Sequence, residues 1–218
     1  MMRQWFAVVM LFAASNFIKE KKFFRFLIVC LVVAQFHSSV YMMIPVYFLV
    51  QGKAWSRKQV SLIAVFAFAL LFLNPILGTL ESSLSGSTYD YAISAMNSGA
   101  GSSIIRALIA AVPVVLAFMY KDEINNPMIN LCVNMSLLNL LLNILASFTS
   151  GLYIIRFATY TSVYNLILYP FLLNVAVKGN DRKIVKAAFY VIYFCFYIYQ
   201  MQYQGSFNYS SDILGTFH

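Results

Sequence analysis

Apolar residues along the chain gather into runs at 4–18, 26–36, 40–51, 59–78, 104–120, 128–146, 159–177 and 187–203, separated by short polar or charged segments. Unbroken apolar runs of this length predict helices rather than alternating membrane strands. Crossing a hydrocarbon layer about 30 Å thick takes roughly 20 helical residues. Six of the runs read as full spans. The pair 26–36 and 40–51 is ambiguous, because each half of about 12 residues gives only roughly 18 Å of helix. The stretch 26–51 is therefore one long tilted helix, or a re-entrant hairpin of two short helices bent at His37-Ser38-Ser39.

Charge decides between them. A hairpin puts Lys19, Lys21, Lys22, Arg25, Lys53, Arg57, Lys58, Lys121, Lys178, Arg182, Lys183 and Lys186 on one side, twelve of the fifteen basic residues. Only Arg3, Arg106 and Arg156 are left opposite. A single span inverts the later loops and gives a split of 6 against 9. Cytoplasmic loops concentrate Lys and Arg, so the uneven split and the hairpin are preferred. A hairpin that short predicts a tip below the outer membrane surface, in a polar cavity, since irregular backbone at that depth must be buried in protein or lining water.

Composition supports the same class. The chain has 218 residues, 61% hydrophobic and 10% charged, with a mean hydropathy of +0.76, far from the balance of a soluble domain. The expected fold is all-α, a polytopic transmembrane helical bundle of about six full spans plus the 26–51 hairpin, with 1–218 a single integral membrane domain. The net charge of +8 is no nucleic-acid footprint, because its residues sit in short loops between apolar runs. Cys30, Cys132 and Cys195 all lie inside apolar runs and read as packing residues. Lys19-Glu20-Lys21-Lys22 reads as a cytoplasmic anchor rather than the end of a cleaved signal. The first run then starts outside with nothing upstream to orient it, which predicts that Met1 lies within a longer protein. Trp55, in the inner loop, reads as an interface anchor.

Chemistry concentrates around Arg156, set between the runs 128–146 and 159–177. A guanidinium stays charged and must find water, a carboxylate or an anionic ligand. Ionisable groups at the edge of a membrane segment are functional candidates; the plain alternative is snorkelling to headgroups. His37, at the hairpin tip, has an unperturbed pKa near neutral and could accept a proton, hydrogen-bond an anion, or simply hold the turn with Ser38 and Ser39. The outward carboxylates Glu81, Asp90 and Asp212 are far apart in sequence, which argues against a paired-carboxylate glycosidase; Glu81 remains a candidate base. No metal-ligand spacing is spelled out and no cofactor is expected. Asn130, Asn134, Ser136, Asn139 and Asn143 form polar stripes on run 128–146, which read first as interhelical hydrogen-bonding residues and second as a substrate path. The inner halves of 59–78, 104–120 and 187–203 are nearly all apolar, and no inverted repeat is evident, which disfavours a transporter.

Several segments together resemble a known family. Arg3-Gln4 opens a helix; Ala34-Gln-Phe36-His37-Ser38-Ser39 is followed by Ile44-Pro45-Val-Tyr47-Phe48-Leu49; later come Arg156-Phe-Ala-Thr-Tyr160 and Tyr169-Pro170. The series resembles, over most of the chain, the C-terminal part of the EpsG family of Wzy-like bacterial polysaccharide polymerases. The family's proline-containing ending is not visible in Phe207 to His218. The resemblance implies a truncated N-terminus and a glycosyltransferase-type polymerase at the outer face of the bacterial cytoplasmic membrane. Its substrate would be a polyprenyl-diphosphate-linked oligosaccharide, with membrane lipids and other polysaccharide assembly proteins as partners. On that reading Arg156, with Arg3 and Arg106, binds the carrier phosphates, His37 or Glu81 serves the acceptor hydroxyl, and Tyr160 and Tyr164 stack on sugar. A flippase for the same lipid-linked saccharide, or an inactive fragment or assembly subunit, are the alternatives.

Overall fold

The computed structural model describes residues 2–72, 103–148, 152–176 and 182–203. Every regular element in them is helical. They are α1 (Met2–Ala13), α2 (Ser15–Lys19), α3 (Phe23–Ala34), a 3-10 turn (Ser38–Met42), α4 (Met43–Leu49), α5 (Arg57–Leu71), α6 (Ile104–Met119), α7 (Pro127–Phe148), α8 (Leu152–Ser162), α9 (Asn165–Ala176) and α10 (Arg182–Tyr203). The expected external loop with Glu81 and Asp90, and the tail from 204, lie outside the described residues.

One helix among the described residues, α7, is long and apolar enough to cross a membrane on length and composition alone. The expectation of six full spans is not met on that measure. One cause is that hydroxyl side chains break the runs. Ser15 Oγ donates to the Phe12 carbonyl at 2.5 Å where α1 gives way to α2. In run 159–177, Thr159, Thr161 and Ser162 donate back to the carbonyls of Ile155, Ala158 and Thr159 at 3.1, 2.9 and 3.1 Å. Such back-bonding competes with the helix ladder and bends it. The helix duly stops at Ser162 and restarts at Asn165.

The hairpin is present. Phe23, at the start of α3, lies against Tyr47 and Phe48 at the end of α4, with ring centroids 5.2 and 5.0 Å apart. Phe26 stacks on Tyr47 at 5.3 Å. The chain therefore turns at His37 and returns to the end from which it set out.

That end is held by α7. Asn126 Oδ1 caps the helix by accepting from the Met128 amide at 2.8 Å, with Pro127 at its first position, where a missing N–H costs nothing. One turn in, Asn130 Oδ1 accepts from the Ala54 amide at 2.7 Å. Asn134 Nδ2 donates to the carbonyls of Val50 and Gly52 at 2.8 and 3.2 Å. From α5, the fully buried Gln59 donates to the Leu49 carbonyl at 3.0 Å. Gly52 has φ +105°, a conformation L side chains rarely adopt. Trp55, expected as an interface anchor, is half-buried and packs edge-on against Phe118 of α6 at 5.1 Å. Asn130 and Asn134 thus hold the α4–α5 connection rather than a neighbouring helix, and Asn143 donates back to the Asn139 carbonyl of its own helix at 2.8 Å.

Around α7, nearly every residue from Ile129 to Asn143 is buried. Against it packs a core that includes Leu11, Ile18, Phe26, Met43, Tyr160, Tyr164 and Leu168. Outward faces are as apolar as inward ones. On α3, Phe24 is 76% and Ile28 61% exposed, while Phe26 and Cys30 are fully buried. Exposed apolar surface on this scale is what a hydrocarbon surround accommodates and water does not. Cys132 is buried like Cys30, whereas Cys195 is exposed.

The chain divides into two units, Met1–Leu172 and Leu173–His218, with the boundary inside α9. In the second unit, Lys186 Nζ donates to Asn174 Oδ1 at 3.0 Å, and α10 carries an aromatic ladder in which Phe189 and Tyr193 lie 4.5 Å apart.

Candidate functional site

The end of the first unit opposite the α7 clamps is where distant motif segments meet. Gln4 of α1 donates from Nε2 to the Arg156 carbonyl of α8 at 2.5 Å, across 152 positions of sequence. Ser39, in the 3-10 turn of the hairpin tip, shares a hydrogen bond with the Tyr160 hydroxyl at 2.9 Å. Phe6 of α1 meets Phe36, next to His37, edge-on at 5.0 Å. Three segments far apart in the chain, Arg3-Gln4, Phe36 to Ser39 and Arg156 to Tyr160, are therefore tied together at one end.

The positions of individual residues follow from these elements. Arg3 is exposed on the first turn of α1. Arg156 is also exposed, but it is not in a loop as the run pattern suggested: it lies one turn inside α8. The helix fixes its backbone, so the guanidinium leaves from a rigid base. Arg106 is half-buried one turn inside α6, whose N-terminus is capped by Ser103 Oγ accepting from Ile105 at 3.3 Å. Since α6 runs into the turn before α7, its first residues belong to the same end as Arg156.

His37 is half-buried and extended, with φ −155° and ψ 109°, between α3 and the 3-10 turn. Its backbone is engaged on both sides: the amide donates to Val33 and the carbonyl accepts from Val40, each at 3.2 Å. The backbone holds the tip, leaving the imidazole for other work. Glu81 lies outside the described residues.

Tyr160 and Tyr164 do not present faces for sugar stacking. They are 2% and 1% exposed. Tyr160 holds the hairpin tip through Ser39, and Tyr164 packs edge-on against Phe12 at 5.3 Å. Helical spacing after an arginine was compatible with either role; both rings belong to the buried core. The residue that the sequence reading passed over is Gln4. It stood next to Arg3 in a recognisable motif, but nothing in one dimension pairs it with Arg156.

Among the described residues no group of His, Cys, Asp and Glu could hold a metal ion. What this end offers is exposed cationic side chains, a half-buried imidazole and hydroxyls, a set suited to an anionic, hydroxyl-bearing ligand. No curated protein and no solved structure matches the chain. One family profile does, over residues 1–211, which takes in all the segments just described, and by that match the chain belongs to the EpsG family.

Proposed function

We propose that this protein acts as a polysaccharide polymerase of the bacterial cytoplasmic membrane, working at the outer face on glycan carried by a polyprenyl diphosphate. Family membership supports a polymerase-like role in general terms. The observation that carries the finer reading is the gathering of Arg3-Gln4, the His37 turn and Arg156 at the end away from the lysine-rich loops. If those loops face the cytoplasm, the arginine end faces outward.

In the reaction so assigned, the acceptor hydroxyl oxygen bonds to the anomeric carbon of the growing chain. The bond from that carbon to the diphosphate oxygen breaks, and the polyprenyl diphosphate departs with the electron pair. The hydroxyl proton goes to a base, for which His37 is the candidate at the hairpin tip and Glu81 the alternative. Negative charge builds on the leaving diphosphate, and bidentate guanidinium contacts are stronger there than in water. Arg156 is the foremost ligand, with Arg3 and Arg106 in support. Arginine suits this better than lysine because its planar fork matches phosphate geometry. Tyr160 acts on this reading as a positioning residue, holding the tip that bears His37.

The test is rescue of polymer formation in a polymerase-deficient strain, read as the ladder of chain lengths, with Arg156→Ala and Arg156→Lys. Loss of long chains in both, at normal protein levels, is expected. Unchanged chain length in both sinks the proposal.

A further inference from the structure

At the opposite end, the segments that follow α2, α4 and α6 line a half-open pocket of about 230 Å³. Its walls include Lys19, Lys21, Gly52, Lys53, Asn125 and Asn130, and none of its lining residues is acidic. The one carboxylate within the Lys19–Lys22 cluster is turned to other use, since Glu20 pairs with Lys22 at 2.5 Å. Lys21 and Lys53 have no ion pair among the described residues. Lys19, Lys21 and Lys53, from two separate segments, thus line a concave space with no acidic wall residue, although the Glu20 carboxylate, paired with Lys22, also feels the charge of Lys19. The fold keeps this arrangement at a conformational cost. Lys21 sits at φ +57°, the position after a helix end where glycine is usual, with Lys22 N–H donating to the Phe17 carbonyl at 2.8 Å and Lys21 N–H to Ile18 at 3.1 Å. A lysine in that left-handed position is strained where a glycine is not.

We propose that this cavity binds a phosphate-bearing anion, either the phosphodiester headgroup of an anionic lipid or free phosphate. The site is separate from the arginine end and does not depend on the polymerase reading. The pocket is open to one side, and its polar, lysine-lined wall suits a phosphate group. Compact ammonium groups suit a phosphate as point charges, and clustered lysines beside membrane helices attract anionic headgroups.

The experiment uses the full chain in detergent micelles doped with phosphatidylglycerol. Retained lipid is counted by native mass spectrometry, and inorganic phosphate is titrated as a competitor. Lys21→Gly removes one charge while easing the backbone, so its folding is not at risk; it is expected to weaken retention about five-fold. The triple variant K19S/K21G/K53S is expected to weaken it on the order of a hundred-fold. A charge-matched control, R25S/K121S/K183S, alters exposed cations outside the cavity and is expected to leave retention as in the parent. Displacement by inorganic phosphate identifies free phosphate as a ligand, and resistance to it identifies the lipid headgroup. Equal loss in the control, or undiminished retention in the cavity triple, overturns the proposal.

Discussion

The two ends of the first unit are built on different principles. At the lysine end, buried side-chain amides of α7 and α5 grip the backbone of one segment, from Leu49 to Ala54, which ties the connection between α4 and α5 to both helices. At the arginine end, segments distant in sequence are joined by Gln4 with Arg156 and Ser39 with Tyr160. Buried side chains hold the fold at the first end, while exposed cations and a half-buried histidine gather at the second. On the proposed function, stability and chemistry are separated between the two ends, and mutations there are expected to fail in different ways.

The sharpest test of that separation is Arg156→Ala. Loss of transition-state charge stabilisation typically costs about 10²–10³ in rate, and the variant is expected to lose long polymer with its thermal unfolding unchanged. Asn134→Ala should do the reverse. It strips partners from the Val50 and Gly52 carbonyls, so stability in detergent is expected to fall by about 2–3 kcal/mol, with polymer loss tracking protein abundance alone. Were Asn134→Ala to abolish polymer in well-folded protein, the division between the ends would collapse.

Tyr160→Phe lies between these extremes. It removes the bond to Ser39 while keeping the buried ring, so about 1 kcal/mol of stability is expected to go. If Tyr160 positions the His37 turn, chain length should also shorten, and Ser39→Ala should shorten it equally; the double variant should then be no worse than either single.

The smallest effect belongs to Glu20. Its carboxyl is held below the usual value of 4.5 by the hydrogen bond and charge of Lys22. A depressed folded value means that the pair stabilises above about pH 4.5 and that its contribution is lost as pH falls through the lowered value. Glu20→Gln is expected to flatten that part of the pH–stability curve, measured by thermal unfolding, and to lower stability near neutrality only slightly, because the pair lies at the surface.

Much of this was legible beforehand. The asymmetry of lysine and arginine placement selected the hairpin over a single span, and aromatic contacts between Phe23, Phe26 and Tyr47 bear that out. The α7 asparagines were expected to bond between helices, whereas Asn130 and Asn134 bond to the backbone of the α4–α5 connection. Other features were not legible. Thr159, Thr161 and Ser162 occur in a run whose hydropathy looks continuous, and only their rotamers decide whether they bond back and bend the helix. Nor did the sequence show that Tyr160 and Tyr164 are buried, or that α8 begins at Leu152 and so includes Arg156.

From its sequence alone, this protein reads as helical and membrane-associated, with its basic residues expected mostly on one side, because apolar runs and loop charges act locally and need no partner to be read. Which residues share an end was decided by tertiary structure, because contacts such as Gln4 with Arg156 join positions 152 apart and depend on how α1, α3 and α8 pack. A one-dimensional pattern records what each helix needs, but not which neighbour supplies it.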